Sequence, residues 1–491
     1  MQSKSRGKRF VSLCVAAALC ISLLAGCDTA KAKSVKLDPD NPVTVSLWHY
    51  YNGATSGAFS ELVNQFNETV GLEKGIIVET HGFDSIPNLE TAVMSSVEKK
   101  VGSMELPNIF ASYADNAYAA EKLGVLANLD DYFSEEEQSE YFSGYIEEGK
   151  IGLNGELRIF PIAKSTEIFL LNDTDWRPFA DANGLTYDDL ATKEGLAKVS
   201  KLYYEWTDAK TPKIKNDGKA FFGRDSMANL FIMASKQFGT EIFDVTNGKA
   251  TINVREDVMR KIWELYYIPY IAGYYKSYGL YRSDDTKLGE IVAYIGSTSS
   301  SSYFPTEVIT EQKTYPIELK ALPVPNFEGG EQVMVQQGAG MVVTKSTPAA
   351  EYASVVFLKW LTDINVNTVF SAASGYMPVK KAALDYSTYT EILEKNNIPL
   401  DDVTRKILEV EFAQVASSEL YTNKAFDGGV AARAAINDNL QNKAVADRAT
   451  VEELMRNGAT HANAVAQFDT EANFTGWYNE LVEEINRAVG K

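Results

Sequence analysis

From residue 43 onward, short β-rich runs alternate with amphipathic helical stretches, and that alternation narrows the folds open to this chain. Val43-Thr44-Val45-Ser46-Leu47-Trp48 alternates in polarity and reads as a first strand. Phe59, Leu62, Val63 and Phe66 then fall at helical spacing behind Thr55 or Ser56 as the cap. Gly75 precedes Ile76 to Thr80 as a second strand, a helix runs from about Ile86 to Lys99, and Pro107 to Ala111 forms a third strand. A further helix ends at Gly124, a left-handed cap. Strands joined through helices lie parallel, so the expected class is α/β, with parallel, doubly wound sheets flanked by helices. Longer helices follow: Leu196, Val199, Tyr203 and Trp206 share a face, as do Val258, Ile262 and Leu265. Pro348 opens another helix behind Thr347, with Ala353, Val356, Phe357, Trp360 and Leu361 as its stripe. Asn247-Gly248 predicts a tight hairpin.

A chain of 491 residues exceeds one ordinary core. Its net charge of −19 argues against nucleic acid and anionic lipid, which need clustered Lys and Arg. No P-loop, dinucleotide glycine motif, nucleophile elbow or zinc-protease motif occurs, and His49, His81 and His461 are too scattered for a spaced metal site. The expectation is therefore no enzyme, no cofactor and no metal. What remains is aromatic: 26 Tyr, 23 Phe and 6 Trp offer faces for stacking on sugars, although most aromatics in any fold are core.

Cys14, Cys20 and Cys27 are the only cysteines. Lys4, Arg6, Lys8 and Arg9 precede an apolar run from Phe10 to Gly26, which reads as a secretory signal over residues 1–26. Leu24-Ala25-Gly26-Cys27 looks like the lipobox of bacterial lipoproteins, in which the cysteine becomes the lipid-bearing N-terminus. Residues 27–42 then make a polar, Pro-containing linker. The expected location is the outer face of the cytoplasmic membrane, held by the lipid alone.

Several segments in order resemble the bacterial extracellular solute-binding protein family 1, the sugar receptors of ABC importers. They are Val45 to Tyr50, Leu106 to Ala111, Leu123 to Asp130, Gly155 to Pro161, Ile168 to Asn172, Gly289 to Ser297, and Gly375 to Val379. The resemblance implies a two-lobed, periplasmic-binding-protein-like (type II) fold with a hinge. Lobe one would take 43–162 and 323–376, and lobe two 163–322 and 377–491. It implies a monomeric receptor that captures a carbohydrate, an oligosaccharide by preference, and delivers it to an ABC permease. The nearest branch looks like glycerol-3-phosphate-binding receptors, so a glycerol-3-phosphate or glycerophosphodiester receptor is the alternative; a surface-anchored glycan hydrolase is a more distant one. Where that branch carries an aromatic and an acid, this chain has Thr80 and Tyr113.

The ligand contacts implied are Trp48, His49, Tyr50, Ser165, Ser297, Thr298, Gly340, Tyr376 and Arg433. Trp48 ends a strand where open α/β sheets bind ligands, with core packing as its other reading. Alternation sends one of His49 and Tyr50 toward the cleft. The serine run after Ser297 either cradles hydroxyls or is a solvated loop, and Arg433 either faces the ligand or makes a surface ion pair. Cys27→Ser is expected to leave the protein without lipid, so that it moves from the detergent phase to the aqueous phase on partitioning.

Overall fold

The computed structural model describes residues 33–490; the leader and Cys27 lie outside the described residues. Two sheets organise the chain. The first has the order β2-β1-β3-β14-β4, with β1 (Val43–His49), β2 (Ile76–Gly82), β3 (Ile109–Ser112), β4 (Ile159–Phe160) and β14 (Gly340–Val343). The second has the order β12-β5-β9-β6, with β5 (Glu167–Asn172), β6 (Phe222–Arg224), β9 (Ala293–Ser297) and β12 (Leu319–Leu322).

The amino-terminal reading holds for β1 to β3, which lie side by side and parallel through β1. Helices α1 (Gly53–Phe66), α2 (Ile86–Val97) and α3 (Ala114–Lys122) supply the crossovers. α1 starts earlier than Thr55: Asn52 is the extended residue before it, and its side chain donates to Asp84 O instead of capping. The sheets are mixed rather than all parallel. β14 runs antiparallel to both β3 and β4, and β5 runs antiparallel to β9 and β12. The reason is connectivity: β5 and β14 enter their sheets from the other sheet rather than through a helical crossover, so the rule that aligns βαβ neighbours does not act on them.

β5 shows how the second sheet is held. All six residues of Glu-Ile-Phe-Leu-Leu-Asn are buried. Phe169 and Leu171 join the core beneath α4 (Lys193–Asp208), α5 (Met227–Gln237), α9 (Gly429–Arg456) and α10 (Glu471–Ala488). Ile168 and Leu170 turn to the opposite face, where Ile407 of α8 (Asp402–Ser417) packs on them. A strand covered on both sides has no polar position to alternate with. On the first sheet pack α1, α6 (Pro348–Leu361) and α7 (Ile364–Ser374), while the edge strand β2 keeps alternate residues exposed. Pro348 does open α6, with Thr347 as its cap. β7 (Phe243–Thr246) and β8 (Lys249–Ile252) form the expected hairpin, with Asn247 and Gly248 both at positive φ. A second small hairpin joins β10 (Glu307–Ile309) to β11 (Thr314–Pro316).

Three chain segments pass between the sheets and pair with one another. Lys164 and Met377 exchange backbone hydrogen bonds of 3.2 and 2.6 Å, and Ser165 and Gln337 exchange bonds of 3.1 and 2.9 Å. β13 (Val333–Val335) and β15 (Glu419–Tyr421) lie alongside as a parallel pair. Phe327, Val333 and Val335 belong to the second core. The return crossing is therefore made after Val335 rather than at the expected 323. Among the described residues no helix is long and apolar enough to cross a membrane.

Gly340 needs correction as a ligand contact. It lies buried in β14, where a Cβ would meet the Ile159 side chain and, at 2.8 Å, the Phe160 carbonyl oxygen. The residue is small so that β4 and β14 can approach. Gly340→Ala is expected to lower the unfolding free energy by about 1–3 kcal/mol, the usual cost of overpacking, in urea denaturation.

Candidate functional site

β1 and β3 are parallel and end at the same edge, so Tyr50 and Tyr113 follow directly on adjacent strand ends. That edge faces the paired crossing segments, and a cavity of about 490 Å³ opens there. The first sheet contributes Glu90 from α2 with Tyr113, Asp115 and Asn116 from the start of α3. The crossing segment contributes Gln336 and Gln337, and α9 contributes Arg433 and Asn437 from the second half of the molecule. Groups from both sheets thus face one space.

Of the contacts expected from sequence, Arg433 lines this cavity. Its Nη2 donates to Asn229 Oδ1 at 2.6 Å, an internal partner rather than a surface ion pair. Tyr50 and Tyr376 stand behind Tyr113, their hydroxyls within mutual reach, and burial raises the hydroxyl pKa of all three tyrosines. Ser297 Oγ donates to Ser165 Oγ at 3.3 Å, so these two serines meet between β9 and the crossing strand. The serine run forms a short 3₁₀ turn over Thr298–Tyr303, in which Ser299 Oγ lies 2.8 Å from Ser297 Oγ.

The other expectations are corrected. Trp48 is 5% exposed and packs on Phe83, with ring centroids 5.3 Å apart. His49 is buried between Tyr51 and Phe59, and its Nδ1 accepts the Tyr51 backbone N–H at 3.1 Å. Burial, reinforced by His81, lowers its pKa to about 4, so it stays neutral in the core. Thr298 is fully buried, donating to Glu411 and accepting from the Thr166 backbone N–H. Its role is to fix the turn that carries the serines.

The sequence reading missed the carboxylates. Asp115 stands two residues after Tyr113, and Phe83 three residues after Thr80. The Asp115 carboxylate reaches across to the amino end of α9, and a Cβ on Gly429 would strike it. The Gly428-Gly429 pair before that helix was the available signal. Asp115 Oδ1 and Gln337 Oε1 are buried without a hydrogen-bond donor among the described residues. Burial raises Asp115 to about 6 against the opposing pull of Arg433. It raises Glu90 to about 7, with the Asn116 side chain opposing and Asp115 adding to the rise. Among the described residues no group of three His, Cys, Asp or Glu side chains is placed to hold a metal ion.

A family model described as bacterial extracellular solute-binding protein matches residues 61–396, more than half of the chain. The chain belongs to that family. No curated protein sequence matches this solute-binding protein. Solved structures share its fold. The cyclic α-maltosyl-1,6-maltose binding protein of Arthrobacter globiformis is 17% identical, with a TM-score of 0.65 over 91% of this chain and 99% of that one. UgpB of Mycobacterium tuberculosis, solved with glycerophosphocholine, is 17% identical, with a TM-score of 0.63 over 91% and 99%. The ABC substrate-binding protein Lmo0181 of Listeria monocytogenes, solved with cycloalternan, is 14% identical, with a TM-score of 0.63 over 91% and 100%.

The raised carboxylates give this solute-binding protein a pH signature. Between the ordinary pKa of a free glutamate and about 7, the unfolded chain ionises Glu90 while the folded chain keeps it protonated, so stability falls as pH rises through that window. Glu90→Gln is expected to equal the wild type near pH 4. Above pH 7 it should exceed the wild type by about 1 kcal/mol, a figure discounted for partial exposure, in paired urea titrations.

Proposed function

We propose that this protein is the substrate-binding lipoprotein of an ABC importer and that it captures a neutral carbohydrate, an oligosaccharide by preference, in the cleft between its sheets. The observation that carries the ligand class is the pair of orphaned acceptors, Asp115 Oδ1 and Gln337 Oε1. Buried acceptors without donors are costly; a sugar ring presents hydroxyl donors on every side, whereas the ionised phosphoryl group of a glycerol phosphate presents none and only its short glycerol end can donate. Tyr113 offers a ring at the same wall. The structural neighbours solved with cycloalternan and named for a cyclic maltosyl-maltose support the same class.

In this reading lobe one comprises 43–162 and 336–376 and lobe two 163–335 and 377–491, the return crossing following Val335. The ligand touches groups from both, so it favours the closed arrangement by its differential affinity, and the closed shape docks on the permease. Cys27 carries the lipid that holds the receptor at the outer membrane face. A glycerol phosphate or its diester is the second reading, favoured by the Arg433 guanidinium in the cavity and by the fold shared with UgpB.

Calorimetry on the soluble body against mono-, oligo- and polyol-phosphate ligands separates the two. With a neutral sugar, Asp115→Asn is expected to weaken binding by about tenfold or more, the loss of a charge-assisted hydrogen bond. With a phosphate ligand the same change strengthens binding by removing a like charge, and Arg433→Ala abolishes it. Tight phosphate binding with that pattern, and indifference to neutral sugars, overturns the proposal.

A further inference from the structure

Beside the cleft, on the other side of Val335, lies a partly open pocket of about 150 Å³. Its walls come from β5, β6, α4, α5, the end of α8 and the segment from Pro323 to Val335. Three charged side chains face it, and two of them neutralise each other. Arg224 Nη2 donates to both oxygens of Glu167, at 3.0 and 2.9 Å, and Asn229 Nδ2 donates to Glu167 Oε1 at 2.9 Å. The third is Lys193, the first residue of α4, only 8% exposed. Its backbone N–H is committed to Asn326 O at 2.8 Å. Its ammonium makes no hydrogen bond or ion pair among the described residues. Glu194, the nearest other acid in sequence, already accepts the Glu328 backbone N–H at 3.0 Å.

A buried ammonium with no direct hydrogen-bonding or ion-pair partner is costly, and the cost is removed either by losing the proton or by gaining an anion. The cavity has room for the second solution, and its remaining polar wall is mostly amide: Gln237, Asn326, Gln332 and Gln414. We propose that this cavity is a second binding site, separate from the cleft, for a small singly charged anion of halide or carboxylate size, held by Lys193. Burial, with the nearby Arg224 acting in the same direction, lowers the Lys193 pKa to about 7; Glu167 and Glu194 oppose it. Anion binding therefore strengthens as pH falls through that value. Arg433 of α9 lies one link further away, behind Asn229, and does not line this cavity.

The test is thermal unfolding of the soluble body in sodium chloride or sodium acetate against sodium gluconate at equal ionic strength, at pH 6 and pH 8.5. The wild type is expected to gain about 2 °C in chloride or acetate at pH 6 and little at pH 8.5. Lys193→Met is expected to lose the gain, and Arg433→Ala to keep it. No gain over gluconate in the wild type, or an equal gain in Lys193→Met, overturns the site. Loss of the gain in Arg433→Ala alone places the anion in the cleft and also overturns it. Should Lys193→Met fail to fold, chloride-35 line broadening on the wild type decides. Excess width at pH 6, displaced by acetate and absent at pH 8.5, supports the site, and no excess width overturns it.

Discussion

A lysine ammonium buried between two sheets holds the molecule's centre together. Lys164 is 2% exposed, and its Nζ donates to Glu148 Oε2 and to Gly338 O, both at 2.8 Å. Its own backbone pairs with Met377, so one residue ties together all three passages between the sheets. Glu148 also accepts from the Gln336 side chain, which brings the return crossing into the same network. A buried pair of this kind adds little net stability over apolar packing, but removing one partner strands a charge. Its value here is positional: it sets where the crossing strands run, and they in turn set the floor of the cleft.

The two halves of the molecule differ in how plainly they are written. β1, α1 and β2 were legible because each buries one face and carries the matching period. β5 entered the reading only as the resembling segment Ile168 to Asn172, and its direction was not legible, because nothing local marks a strand that arrives from another sheet. The cleft was less legible still. Alternation put His49 and Tyr50 on opposite faces without saying which one enters the core. Packing against Phe59 and Tyr51 decided it, and that contact spans a turn and a helix. Glu90, Asp115 and Arg433 sit on three helices with no common local pattern, so only the assembled fold makes them neighbours.

Burial gives the cleft its electrostatic character more than ion pairing does. Four carboxyl groups, from Glu90, Asp115, Glu148 and Asp438, line a space with a single guanidinium, and burial pushes Glu90 and Asp115 toward their neutral forms. A chain with a net charge of −19 gains nothing from long-range attraction to anions in any case. Its selectivity then rests on geometry, which the shared crossing strands supply.

α9 begins at Gly429, against the Asp115 carboxylate, and runs unbroken for 28 residues to Arg456. At the rise of an α-helix that is about 40 Å of rigid rod. Seated at one end on a group from the opposite sheet, it works as a pointer. Each degree of tilt at its start displaces its far end by about 0.7 Å, by simple geometry on that length. Its first half lies along α10, whose last residue, Ala488, sits at Gly428, and its far end reaches Ile271 O through Arg448, so a tilt at the start is carried through the whole second core.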